Sequence, residues 1–183
     1  MKKIFVTLFL ITMALVFIMP SHSYAQAASD TVMLYANATA DGVPIDQQIK
    51  NDQVNNPNPN RVYVLQQTSS IDTVYFVINA IQPTQNLTII GLPNPITGML
   101  PIIAPGIDPS GGSPKRFINP TVKGIDITLK NLYVYWTTTS NFSPTTGFGT
   151  IYIQGDSIKL TCDRCVFDGA YGGASFIYFN ASW

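Results

Sequence analysis

The chain has 183 residues, ten basic and ten acidic side chains, and 11% charged against 46% hydrophobic residues. Every acid is Asp, no Glu occurs, and the one His is His22, near the amino end. Downstream of Ala25 there is therefore neither His nor Glu, which excludes His general bases, His-ligated zinc, Glu acid/base pairs and Ser-His-Asp triads from that part, and the scarcity of Glu and Lys disfavours a helical protein.

Met1-Lys2-Lys3 is a short basic start, Ile4 to Met19 is an uncharged apolar run, Pro20 breaks it, and Ser21 to Ala27 is small and polar. This is the layout of a secretory signal peptide, residues 1–25, with cleavage after Ala25 or, as the alternative, after Ala27. An uncleaved membrane anchor is the competing reading, but the run is shorter than the ~20 residues of a spanning helix. No later stretch is apolar enough to span, so no membrane span is expected after the signal is removed. The part after Ala25 has 158 residues and eight basic against ten acidic groups, with no basic patch, so nucleic acid is a poor partner. The expected location is secreted or at the cell surface, of bacterial type.

Residues 26–40 form a polar approach segment, and residues 41–183 read as one domain with a real core. Pro44 suits the start of a helix, and Ile45 and Ile49 lie four apart on one face, so a short helix is predicted from about Pro44 to Asp52. Then the period changes to two. Strands are predicted at Val62–Leu65, Val74–Ile78, Leu87–Ile90, Ile125–Lys130, Leu132–Trp136, Thr150–Gln154, Ile158–Asp163, Cys165–Asp168 and Ser175–Phe179, separated by Gly, Pro, Asn, Asp and Ser. Met99–Ala104, inside the proline-rich linker Leu92–Lys115, is a candidate further edge strand.

An internal repeat organises these strands. A shift of 33 residues lays Ile118 on Ile151, Ile125 on Ile158, Ile127 on Leu160, Leu129 on Cys162, Leu132 on Cys165 and Val134 on Phe167. Apolar meets apolar throughout, and the interruption at Asn131 falls on Arg164. Asn suits a left-handed corner there; Arg164 suits it less well. The same shift stacks outward Asp126 beside Lys159, Thr128 beside Thr161 and Lys130 beside Asp163, as parallel neighbours ~4.8 Å apart tolerate. A strand core that holds register while linkers vary in length is what stacked coils of a solenoid produce.

The run from the helix through Arg61–Leu65, Val74–Ile78 and Asn86–Gly91, with Asp126–Tyr133 and Ile158–Gly169, resembles the right-handed parallel β-helix of the pectate-lyase-like superfamily, and the amino-terminal portion of a large secreted bacterial β-helix protein. The resemblance implies an all-β solenoid with a short amino-terminal capping helix. An apolar strand that comes four residues before Trp183 would leave an open edge, so further coils or a sorting domain of a longer parent chain are expected to cover it, with a partner chain as the alternative. It brings no catalytic residue, because Arg61, Arg116 and Arg164 are the only arginines and none stands in an Arg-x-Pro-x-x-Arg segment.

Three groups are candidate sites. Cys162-Asp163-Arg164-Cys165 is a C-x-x-C that straddles a predicted corner, so two small buried residues, with a local disulfide as the oxidised form, fit it better than a redox pair or half a metal site. Asp156, Asp163 and Asp168 could form a carboxylate set for Ca²⁺ or glycosidic chemistry, against turn chemistry and a surface ladder. Tyr133, Tyr135 and Trp136 are a dense aromatic group; Tyr133 and Tyr135 should face outward, where rings stack on sugars or form a protein contact, against packing beneath the loop Thr137–Phe148. No cofactor, metal or catalytic residue is implied. The expected function is a non-catalytic module that presents a strand face and loops to a polysaccharide or a surface protein. The alternative is the front end of a polysaccharide lyase or glycoside hydrolase whose catalytic coils lie elsewhere.

Overall fold

The computed structural model describes residues 30–36, 42–67, 73–106, 116–136, 150–154, 156–169 and 177–180. The signal-peptide reading and its Ala25 cleavage site lie outside the described residues. Among the described residues one helix and eleven strands follow in chain order: β1 (Thr31–Met33), α1 (Ile45–Asn55), β2 (Val62–Gln66), β3 (Val74–Val77), β4 (Leu87–Leu92), β5 (Ile102–Pro105), β6 (Asp126–Lys130), β7 (Tyr133–Tyr135), β8 (Ile151–Gln154), β9 (Lys159–Asp163), β10 (Val166–Asp168) and β11 (Ile177–Asn180).

Among the described residues every strand pair is parallel. β1-β2-β4-β6-β9 form a five-stranded sheet, β3-β5-β7-β10 a four-stranded sheet, and β8-β11 a pair. From β2 to β7 the chain visits the two larger sheets alternately, and among the described residues only β1 and β2, with α1 between them, are sheet neighbours that follow one another in strand order. Register follows the apolar pattern. In the first sheet Val32, Tyr63, Ile89, Leu129 and Cys162 stand in one inward rank and Leu87, Ile127 and Leu160 in another. In the second sheet Tyr75, Ile103, Val134 and Phe167 line up, and single bridges join Ile81 to Ile118 and Ile118 to Ile151. The inward members of β2, β4 and β6 are fully buried, each contributing about 1.5–3 kcal/mol.

The 33-residue register is observed: Asp126 pairs with Lys159, Thr128 with Thr161 and Lys130 with Asp163. Lys130 reaches Asp163 at 3.5 Å. Asn131 and Arg164 both take left-handed backbone angles, φ 53° and 52°, and the preceding corner repeats the device with Gly124 at 68° and Ser157 at 61°. The corner therefore tolerates Arg as well as Asn, although such angles cost a residue with a Cβ about 1–2 kcal/mol.

Helix α1 ends at Asn55, with Pro57 beyond to stop it, rather than at Asp52. Ile45, Ile49 and Gln53 recur every four residues and are buried. Asp46, at the first turn, accepts the Ile78 and Asn79 backbone N–H groups at 3.0 and 3.1 Å, and Gln53 Oε1 accepts the Thr84 N–H at 3.1 Å. Two side chains thus tie the helix to the connection between β3 and β4.

These features correct the expected fold class. The expectation was an all-β right-handed parallel β-helix, a closed solenoid with a helix as its cap. The described residues instead form two parallel sheets and one two-stranded pair with a helix whose isoleucines belong to the main core, an arrangement of mixed α/β-like parallel sheets and not a closed solenoid. The physical reason is that period-two alternation reports one buried face per strand and a matching register, not whether the strands close around a common interior. A second difference is β1: residues 26–40 were read as a polar approach, yet Thr31–Met33 pairs with β2 and Leu34 is buried beyond it.

Gly91 lies against the corner, where a methyl would overlap the Asn131 carbonyl oxygen and sit 2.7 Å from Pro101 Cγ; Gly91→Ala should cost at least about 2 kcal/mol in urea unfolding. Gly98→Ala, at φ 71° but with open space around it, should cost only about 1 kcal/mol. Burial raises the Asp46 carboxyl above its ordinary 3.8, against the opposing pull of its backbone hydrogen bonds. Between 3.8 and that raised value the folded chain binds the proton more tightly than the unfolded chain, so this group's contribution to stability rises as pH falls through the window. The stability of wild type relative to Asp46→Asn should therefore increase on acidification toward pH 4, measured by unfolding at a series of pH values.

Candidate functional site

Because Val134 of β7 points inward and is fully buried, Tyr133 and Tyr135 on either side must point outward. The outer face of the second sheet is built from such residues. Val74, Ile102, Tyr133 and Val166 stand in one rank across β3, β5, β7 and β10. Phe76 beside Ala104, and Tyr135 beside Asp168, occupy the next outward positions. Tyr135 is 41% and Val166 44% exposed. Between Met99, Leu100, Ile102 and Tyr133 lies a shallow hollow of about 320 Å³.

The outer face of the first sheet is different. There the stacked positions are Thr88, Thr128 and Thr161 in one rank and Ile90, Lys130 and Asp163 in the next. The two sheets share one inward logic, but the second presents mainly apolar and aromatic groups outward, whereas the first changes from Met33, Val64 and Ile90 on β1, β2 and β4 to hydroxyls and charges on β6 and β9.

One carboxylate serves the aromatic face. The Tyr133 hydroxyl donates to Asp168 Oδ2 at 2.6 Å. This holds the ring in place and leaves the other carboxylate oxygen, and the remaining lone pairs, as acceptors at the edge of the face. Asp168 as part of this group was not visible in the sequence, where it reads as a turn aspartate before Gly169. Its register partner is Tyr135, and only the length of the Tyr133 side chain brings its hydroxyl diagonally to Asp168.

Trp136 leaves the face. It is 4% exposed and packs on Phe117 with ring centroids 5.9 Å apart. Its indole nitrogen is buried without an acceptor among the described residues. Of the three aromatic candidates, then, the structure keeps Tyr133 and Tyr135 together and places Trp136 in the core.

The three aspartates are not brought together. Asp156 pairs with Lys123, Asp163 with Lys130 and Arg164, each at 3.5 Å, and Asp168 with Tyr133. Among the described residues no group of three His, Cys, Asp or Glu side chains could hold a metal ion.

Cys162 and Cys165 are free thiols in the structure. Cys162 ends an inward rank on the sheet's outermost strand and is exposed, whereas Cys165, past the Arg164 corner, is half-buried and its thiol donates to the Asp163 carbonyl at 3.6 Å. Desolvation and then the neighbouring Cys165 push the Cys162 thiol up to about 11; desolvation raises Cys165 as well.

A second concavity, of about 490 Å³, lies between α1 and the segment after β3 and is lined by Asp46, Lys50, Gln53, Asn79, Gln82 and Thr84. Its most buried groups, Asp46 and Gln53, are already engaged in fastening the helix, as described above, so its polar lining has a structural use.

No family model, curated protein or solved structure matches the chain, and nothing in those comparisons identifies a pectate-lyase-like protein.

The thiols give a direct check. Titration of thiolate absorbance in the reduced protein should show Cys162 ionising near pH 11 rather than near the ordinary 9.0, and its alkylation at pH 8 should be slower than that of free cysteine, since the thiolate is the nucleophile.

Proposed function

We propose that this chain is an exported binding module whose outer face on the second sheet, centred on Tyr133 and Tyr135, takes a neutral glycan. The observation that carries the reading is the aromatic pair on one rigid strand with the Asp168 carboxylate at its edge. The two rings project from the same side of β7, two residues apart, and so lie roughly 7 Å from one another. Sugar rings offer apolar C–H faces that stack on aromatic rings and hydroxyls that donate to a carboxylate. The face provides both, with Ile102, Val166 and the Met99–Leu100 hollow extending the apolar area around it. A neutral chain fits better than an acidic one, because Asp168 would repel a uronate. Export is supported by the Met1–Ala25 pattern of basic start, apolar run and small polar end.

Strand placement favours such a role energetically. The ladder fixes the backbone of both tyrosines, and Asp168 also holds the Tyr133 side chain, so for Tyr133 little side-chain freedom remains to be lost on binding.

Calorimetry with cellohexaose and mannohexaose tests the proposal. Binding of at least one of these neutral oligosaccharides is expected, with no binding of a polygalacturonate oligomer. Tyr135→Ala should weaken that binding about tenfold, in line with an aromatic contact worth about 1 kcal/mol or somewhat more, while the unfolding midpoint stays unchanged because the ring is exposed. Equal affinity in Tyr135→Ala and wild type, or binding confined to the acidic oligomer, would remove the face from the mechanism.

A further inference from the structure

The first sheet ends in a strand that has a neighbour on one side only. Lys159 donates its backbone N–H to the Ile125 carbonyl at 3.2 Å, and the Asp163 carbonyl accepts the Asn131 N–H at 3.0 Å. Residues 159, 161 and 163 therefore turn their main-chain groups toward β6, and Leu160 and Cys162 turn theirs to the open side. Among the described residues no strand pairs with β9 there. The rank beneath is open as well: Ile127 and Leu129 are fully buried, but their register partners Leu160 and Cys162 are half-buried and exposed. An unpaired strand above a partly uncovered apolar rank is a template for another strand.

We propose that this edge is a self-association surface, on which a second copy of the chain pairs its own β9 antiparallel about Thr161. The sequence of the strand selects the occupant. Lys159-Leu160-Thr161-Cys162-Asp163 has a cation at one end and an anion at the other. A two-fold axis at Thr161 sets Lys159 of each copy opposite Asp163 of the other, Thr161 opposite Thr161, and Leu160 opposite Cys162. Parallel pairing in register would instead stack Lys159 on Lys159 and Asp163 on Asp163.

The hydrogen-bond phase agrees with the charges. In an antiparallel pair, directly opposed residues alternate between those that exchange both main-chain bonds and those that exchange none. Leu160 and Cys162 are the residues whose groups face outward, and they are the pair that meets across the axis. Thr161, with its groups spent on β6, falls at the non-bonded position, where side chains approach most closely. Leu160 and Cys162 would meanwhile close the inward rank with a layer from the partner. Lys159 is available for this contact: its register neighbour is Asp126, but among the described residues it makes no ion pair. Five residues make a small interface, so the association is reversible and dependent on concentration.

Sedimentation equilibrium of the purified protein, from about 10 µM to about 1 mM, reads this range of weak affinity. Wild type should pass from monomer to dimer across it. Thr161→Lys and Thr161→Asp, each alone, place like charges face to face at the axis and should stay monomeric, with circular dichroism and unfolding midpoint as in wild type because Thr161 is exposed. Mixing the two variants should restore a dimer, now of unlike copies, at least as tight as that of wild type. A purely structural role for Thr161 could not produce that recovery. Cys162→Pro, which removes an outward N–H and leaves the β6 side intact, should also be monomeric. The proposal is overturned by a wild type that remains monomeric at 1 mM, by a Thr161→Lys variant that dimerises like wild type, or by a mixture no more associated than its components.

Discussion

Every feature of this molecule rests on the in-register stacking of inward apolar side chains along parallel strands. Tyr63, Ile89 and Leu129 follow one another in the first sheet, and Tyr75, Ile103 and Val134 in the second. A slip of one residue would turn each rank to solvent and bring the outward residues inside, so the register is held by the whole burial energy of a strand and not by any single contact. Surface ion pairs such as Lys130–Asp163 ride on that register; exposed pairs of this kind contribute only about 0–1 kcal/mol. The direction of Tyr133 and Tyr135 is a by-product of the same rule, since Val134 between them has to be inside.

The outward surfaces are freer to differ, and they do. The first sheet's outer side carries threonines and opposite charges on β6 and β9 and single aliphatic side chains such as Val64 and Ile90 on β2 and β4, with no aromatic pair. The second sheet carries Val74, Ile102, Tyr133, Val166 and Tyr135, with Asp168 fixing one ring. Nothing in the inward packing demands that distribution, and this is the physical ground for reading the second face as functional. The polar concavity beside α1 is the opposite case, because the Asp46 carboxylate and the Gln53 side-chain carbonyl anchor the helix.

Much of the strand layout was legible in the residues. The alternation of Ile125–Lys130 and of Ile158–Asp163, and the matching interruptions at Asn131 and Arg164, marked both the register and the corners. The way the sheets come together was not legible, because burial of one face of a strand is compatible with sheets that close and sheets that do not. Helix α1 was visible from Ile45 and Ile49, but its place in the main core depends on Asp46 and Gln53 meeting backbone about thirty residues away, which no local pattern records. β1 was missed because three residues are too few for alternation to show. In the candidate site, Tyr133 and Tyr135 followed from the period of two. Trp136 was grouped with them by adjacency alone, although the same period, with Leu132 and Val134 inside, turns it inward, as the structure shows. The Tyr133–Asp168 bond was missed because it runs diagonally to the repeat.

The all-parallel pairing also has a kinetic consequence. Among the described residues the closest paired positions in sequence are 26 apart, as with Ile151 and Ile177, so none of these ladders can start from a hairpin. Each ladder must await closure of a long loop, an entropic cost met before any hydrogen bond in that ladder is gained. Such chains fold slowly, on the millisecond-to-second scale or longer, and a nascent chain emerging from the ribosome would hold its first strands unpaired until whole further segments had been synthesised.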